Sequence, residues 1–142
     1  MTIGRIDHFA LGVSDIEQAI AHFESVAGLK LIRRGTLGRT GGAMAMIGDG
    51  TGMKIELVET PDATTPTLLH IAFRSDDVAS DAIAVEGKAG LSLQRGPNPL
   101  PAASALSALF SRPDGLEVQI IQYEADSPDI VEWGRAAGKD NP

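Results

Sequence analysis

Two histidines, His8 and His70, stand 62 residues apart in a chain that writes one pattern twice. Around His8 the chain reads Asp7-His8-Phe9-Ala10, then Ser14-Asp15-Ile16, then Ala27-Gly28-Leu29. Around His70 it reads Leu69-His70-Ile71-Ala72, then Asp76-Asp77-Val78, then Ala89-Gly90-Leu91. A later pair is one residue wider: Lys54-Ile55-Glu56-Leu57 answers Glu117-Val118-Gln119-Ile120, so Glu56 corresponds to Gln119. Two imidazoles, a carboxylate and an amide oxygen suit a divalent transition metal. Imidazole accepts Zn, Fe, Ni or Cu, and oxygen ligands also admit Mn. Thiolates, the usual closing ligands of structural zinc, are absent because the chain has no cysteine. A site of this kind with positions left for water is catalytic in character.

These side chains need elements to hold them. Residues 5–13 alternate, with His8, Ala10 and Gly12 on one face and Phe9, Leu11 and Val13 on the other, which predicts a strand. Ser14 is read as an N-cap, with Glu17 completing a capping box. Ile16, Ala19, Ile20, Phe23, Val26 and Ala27 then follow at helical spacing, and Gly28 ends the helix. Strands are expected over 29–36, 42–48 and 53–59, with glycine-rich turns at 35–42 and 48–52. After a linker at 60–67 the order repeats. A strand spans 68–74, Asp76 caps a helix that Gly90 stops, and strands cover 91–95, 104–111 and 116–123. Three prolines make 96–101 a loop. The fold class is α+β: two βαβββ modules in tandem, at about 4–60 and 67–124, forming one domain over 1–124 with a tail at 125–142.

In each module the histidine and its partner oppose an apolar stripe that a helix must cover. His8, Glu56, His70 and Gln119 therefore face a shared concave space, held on strands. Lys54 and Glu117 read as solvated charges at wet strand ends, Arg74 as a rim ion pair and His22 as a surface residue. Trp133, with Ile130 and Val131, reads as an anchor for the tail.

Bulk properties narrow the partners. The net charge is −7 and the pI about 4.8, which disfavours nucleic acid and anionic membrane. No run approaches a spanning helix and no signal peptide is evident, so the expected location is cytoplasmic.

The chain resembles the vicinal oxygen chelate superfamily, which includes glyoxalase I, methylmalonyl-CoA epimerase, extradiol dioxygenases and the fosfomycin- and bleomycin-resistance proteins. The resemblance covers roughly 5–124. It rests on Asp7-His8-x-x-Leu11-x-Val13-x-Asp15-Ile16, Gly28-Leu29, Ile55-Glu56-Leu57, His70-Ile71-Ala72 and Arg112-Pro113-Asp114-Gly115. It implies a concave, partly closed mixed sheet and metal ligands at His8, Glu56, His70 and Gln119. The family's last ligand is typically glutamate; here that position is Gln119, and Glu117, on the same face, is the alternative fourth ligand.

The leading expectation is an isomerase or lyase acting on a proton α to a carbonyl. The expected cofactor is a divalent ion (Zn, Ni, Co, Mn or Fe) that binds two neighbouring substrate oxygens and favours an enediolate. Glu56 is the expected base and Glu117 the second candidate, since an amide does not titrate. The resemblance also implies a small-molecule substrate and a homodimer, and leaves open whether His8 meets His70 of its own chain. Two alternatives stand: a non-haem iron dioxygenase built on His8, His70 and Glu56, and a non-enzymatic antibiotic-binding protein. An aromatic content of 4% speaks against the latter.

Overall fold

A computed structural model describes residues 2–37 and 40–130. In chain order the elements are β1 (Ile6–Val13), α1 (Ile16–Ala27), β2 (Lys30–Thr36), β3 (Ala43–Gly48), β4 (Lys54–Glu59), β5 (Thr67–Arg74), α2 (Val78–Val85), β6 (Ser92–Leu100), β7 (Ala105–Ser111) and β8 (Glu117–Tyr123). Short 3₁₀ turns occupy Lys88–Gly90 and Pro101–Ala103.

All eight strands form one mixed sheet in the order β2-β3-β4-β1-β5-β8-β7-β6. Within each βαβββ unit the first and last strands pair in parallel, β1 with β4 and β5 with β8. The units meet along the antiparallel β1–β5 pair, so the concave face is continuous within one chain. Both strands of this seam carry a register break, β1 at Asp7 and β5 at Leu69. These are equivalent positions of the two units, so the pseudo-twofold extends to the irregularities.

The helices cover the convex side. α1 buries Ile16, with Ala19, Ile20 and Phe23, against Val13, Ala45, Ile47 and Leu57. α2 buries Val78, Ala82 and Val85 against Ala108, Phe110 and Ile120. A fully buried valine, leucine, isoleucine or phenylalanine contributes about 1.5–3 kcal/mol. A third cluster of Ala72, Ala103, Ala105 and Ile121 lies apart from both helices.

Several expectations shift. Asp15, not Ser14, caps α1 by accepting from Gln18 N–H, and Asp77, not Asp76, caps α2 by accepting from Ser80 N–H. Glu17 is outside any capping box and pairs with Arg34 (2.7 Å). Val26 is 70% exposed rather than part of the apolar stripe, because it lies beyond the turn that packs on the sheet. Gly28 ends α1 with φ +69°, a conformation in which glycine has no Cβ to strain. Gly90 does not end α2; that helix stops at Val85 and the chain reverses at Gly87 (φ +81°).

The proline-rich 96–101 stretch is mostly strand. Asn98, Pro99 and Leu100 pair with Ser107, Leu106 and Ala105. β6 is an edge strand, where a proline's missing N–H costs no ladder bond on the open side.

Residues 127–130 pack against the rest of the chain. Ser127 Oγ donates to the Ala103 carbonyl, and buried Asp129 accepts from Arg33 Nε and Nη2 at 2.7 and 2.9 Å. Ile130 is half-buried; Val131, Trp133 and the rest of the expected tail anchor lie outside the described residues.

Candidate metal centre

Residues directly opposite one another across a sheet share a face. The register therefore gives two parallel rows on the concave side. One runs Arg33–Met46–Glu56–Ala10–His70–Glu117 from β2 to β8. The next runs Lys54–His8–Ala72–Gln119 from β4 to β8. Small Ala10 and Ala72 separate the larger polar groups and leave room above the seam.

The structure brings three of the sequence-selected residues together. His8 Nε2 lies 3.3 Å from His70 Nε2, and His70 Nε2 lies 3.3 Å from Glu56 Oε1. His8 Nε2 is 3.7 Å from Glu56 Oε1. All three ligand atoms fall within 4.8 Å of one another, on one chain. Burial would raise the Glu56 carboxyl, but the His70 hydrogen bond and the charges of His8, His70 and Arg33 hold it below its ordinary value.

Behind His8 stands Asp7, fully buried. Strict alternation would send Asp7 and His8 to opposite faces. The register break at Asp7 puts both side chains on the concave side. Asp7 Oδ2 meets His8 Nδ1 and the Tyr123 hydroxyl, both at 2.6 Å. Asp7 Oδ1 meets Lys54 Nζ at 2.9 Å and Arg74 Nε at 3.2 Å. The two cations flank the Tyr123 ring at 5.1 and 5.0 Å from its centroid. Burial alone would raise the Asp7 carboxyl; the His8 hydrogen bond, the Lys54 charge and the Tyr123 hydroxyl outweigh it and hold Asp7 well below the carboxylate range. Burial, the Asp7 charge and the bond to Asp7 push the Tyr123 phenol well above its ordinary value. Burial lowers the Lys54 ammonium, against the opposing pull of Asp7.

Lys54 is therefore not the solvated strand-end charge its sequence position suggests: it is 1% exposed, because Asp7 is buried beside it. Arg74 does form an ion pair, but its partner is the buried Asp7. His22 is exposed, edge-on to Phe23.

Gln119 lies on the expected face. Its Nε2 donates to Ser107 Oγ at 3.0 Å, while its Oε1 is buried with no hydrogen-bond partner among the described residues. Glu117, half-buried and opposite His70 in the register, does not join the converging trio.

Sequence reasoning missed Asp7, Tyr123 and Arg33. The Asp-His pair was visible, but the bulge that unites the two side chains leaves no compositional mark. Arg33 reaches the Glu56 row only through a register shift between Leu31 and Arg33.

The residues present fit a divalent cation. Two imidazole nitrogens and a carboxylate oxygen converge, a donor set that divalent transition metals accept. One histidine has its far nitrogen on a carboxylate, as metal-bound imidazoles usually do. A buried amide oxygen on the same face, that of Gln119, lacks a partner among the described residues, which is costly unless something satisfies it. Among the described residues no helix is long and apolar enough to cross a membrane.

Comparison with known proteins agrees with this architecture. The family model described as Glyoxalase/Bleomycin resistance protein/Dioxygenase superfamily matches residues 5–120. A protein from Vibrio parahaemolyticus serotype O3:K6 (strain RIMD 2210633), named as a probable lactoylglutathione lyase, is 30% identical over 134 residues, covering 89% of this chain and 96% of its own. Among solved structures, methylmalonyl-CoA epimerase from Mycobacterium tuberculosis superposes with a TM-score of 0.74 at 17% identity, covering 87% of this chain and 90% of its own. A point variant of Streptomyces coelicolor methylmalonyl-CoA epimerase, in complex with 2-nitronate-propionyl-CoA, gives 0.72 at 19% identity, covering 89% and 99%. At these identities the two structures speak for the fold. With the family model spanning both units and the lyase-named relative aligned along nearly its whole length, this chain belongs to the glyoxalase/bleomycin resistance protein/dioxygenase superfamily.

Proposed function

We propose that this chain is a metal-dependent lyase or isomerase that moves a proton α to a carbonyl. The observation that carries the reading is the convergence of His8 Nε2, His70 Nε2 and Glu56 Oε1 on the concave face, with His8 buried and the other two half-buried. His8, His70 and Glu56 would hold the ion, with Gln119 Oε1 as the fourth donor. A divalent cation held there supplies a Lewis acid that favours the negative charge developing on a substrate carbonyl oxygen.

The chain's own groups do the rest. Glu56, kept ionised by its neighbours, accepts the substrate proton. Gln119 cannot take that part, because an amide has no proton affinity in this range. Glu117, facing the cup from beside His70, is the candidate second base where a proton must return to the opposite face of the carbon. Asp7 offsets one of the two positive charges, Lys54 and Arg74, that stand against it behind His8. The relatives' names suggest two substrate probes, a lactoyl thioester of glutathione and a methylmalonyl thioester of coenzyme A. A homodimer and a cytoplasmic location go with this reading.

The test is solvent deuterium entering the α-carbon of lactoylglutathione or methylmalonyl-CoA, with protein loaded in turn with Zn, Ni, Co and Mn. Incorporation that depends on the metal and on Glu56 supports the reading; none with any metal and either probe counts against it.

A second reading uses the same trio as a two-histidine, one-carboxylate iron site. Iron-dependent oxygen consumption on catechols would favour it.

A further inference from the structure

The two histidines occupy equivalent positions of a duplicated fold, yet their surroundings differ. Behind His8 the bulge residue is Asp7; behind His70 the equivalent bulge residue is Leu69. Asp7 is buried, with four donors on its two oxygens: His8 Nδ1, the Tyr123 hydroxyl, Lys54 Nζ and Arg74 Nε. Among the described residues, no acceptor meets His70 Nδ1.

We propose that Asp7 is a positioning residue that makes the two histidines chemically inequivalent, and that it does so before any ion binds. A carboxylate can only accept, so the neutral form of His8 carries its proton on Nδ1 and presents a bare Nε2 lone pair to the cup. That lone pair lies 3.3 Å from His70 Nε2, which is in turn 3.3 Å from Glu56 Oε1. Two lone pairs and a carboxylate cannot share this space without a hydrogen between them. The proton therefore sits on His70 Nε2, between His8 and Glu56. His8 is preformed for a cation; His70 must shift its proton to Nδ1 to offer Nε2.

The lock is stiff because Asp7 is itself fixed. Lys54 comes from β4, Arg74 from β5 and Tyr123 from β8, so three strands hold one carboxylate. Duplication alone would have produced two alike ligands. The Asp7/Leu69 difference divides them into a fixed ligand and an adjustable one, and the fixed one lies in the unit that also supplies Glu56.

This division of roles rests on the proposed metal site, but its first test needs no metal. Long-range ¹⁵N–¹H spectra of histidine-labelled, metal-free protein, with exposed His22 identified by a His22→Gln variant, should show His8 protonated on Nδ1 and His70 on Nε2. Adding Zn²⁺ should leave His8 unchanged and move the His70 proton to Nδ1. Asp7→Asn should abolish the His8 preference and weaken Zn²⁺ binding by about tenfold to a hundredfold by calorimetry, the range seen when such outer partners are removed. Finding His8 protonated on Nε2, or both histidines in the same form, overturns the inference. So does a folded Asp7→Asn with wild-type tautomers and affinity. If Asp7→Asn does not fold, the wild-type spectra decide alone. If the wild type binds no Zn²⁺, the proposed function falls, while the metal-free spectra still judge the role of Asp7.

Discussion

Asp7 and His8 are sequence neighbours whose side chains lie on the same face of the sheet, with Asp7 Oδ2 2.6 Å from His8 Nδ1. A regular strand forbids that arrangement, and the bulge in β1 permits it. The contact ties the candidate site to a buried charge network whose members can be tested one at a time.

Acid stability is the first test. Asp7 has a folded value well below the ~3.9 of an unfolded aspartate, so its contribution is fully present above that value. It is lost as pH falls through about 4 toward the folded value. Urea unfolding of the EDTA-treated chain between about pH 6 and 3 should show stability rising with pH. Folded Asp7→Asn should show a shallower rise, by roughly one proton's worth. Parallel slopes would mean that Asp7 does not carry the acid sensitivity.

Glu56 and Gln119 should separate chemistry from binding. Glu56→Gln keeps the shape and removes the base, so turnover should fall by about a hundredfold or more at saturating metal. Gln119→Ala should weaken metal binding while turnover at saturating metal stays within about tenfold of the wild type, because the base is untouched. Full activity in Glu56→Gln would sink the assignment of the base.

Lys54 tests the network from the other side. Removing one partner of a buried ion pair costs about 3–5 kcal/mol. Lys54→Met should fall near the low end, about 3 kcal/mol by urea unfolding, because Asp7 retains three other donors. A change under about 0.5 kcal/mol would mean that Lys54 behaves as a surface charge.

Arg33 and Asp129 join β2 to the segment after β8 through two short bonds. Arg33→Met, Asp129→Ala and the double variant should form a non-additive cycle with a coupling of about 1–3 kcal/mol. Additive effects would show that the pair does not anchor that segment.

Much of this arrangement was legible in the sequence. The repeat predicted the βαβββ order, and alternation put His8, Glu56 and His70 on one face, because both signals depend only on spacing. The misreadings were of three physical kinds. The caps moved by one residue, since Ser14 and Asp15, like Asp76 and Asp77, are neighbours with similar capping chemistry. The prolines of β6 looked like a loop because nothing local reveals an edge strand. Lys54 looked solvated because its partner arrives through a bulge 47 residues away. Whether His8 meets His70 of its own chain depended on the β1–β5 pairing, a long-range contact that no local pattern encodes.

Metal content is the most direct test of a divalent cation site at His8, Glu56 and His70. Purified protein should be loaded with Zn²⁺, desalted, and its metal measured per chain for the wild type and for the His8→Ala, His70→Ala double variant. With two of its three converging donors removed, the folded double variant should retain essentially no ion, against about one per wild-type chain. Equal metal content in the two would contradict the site.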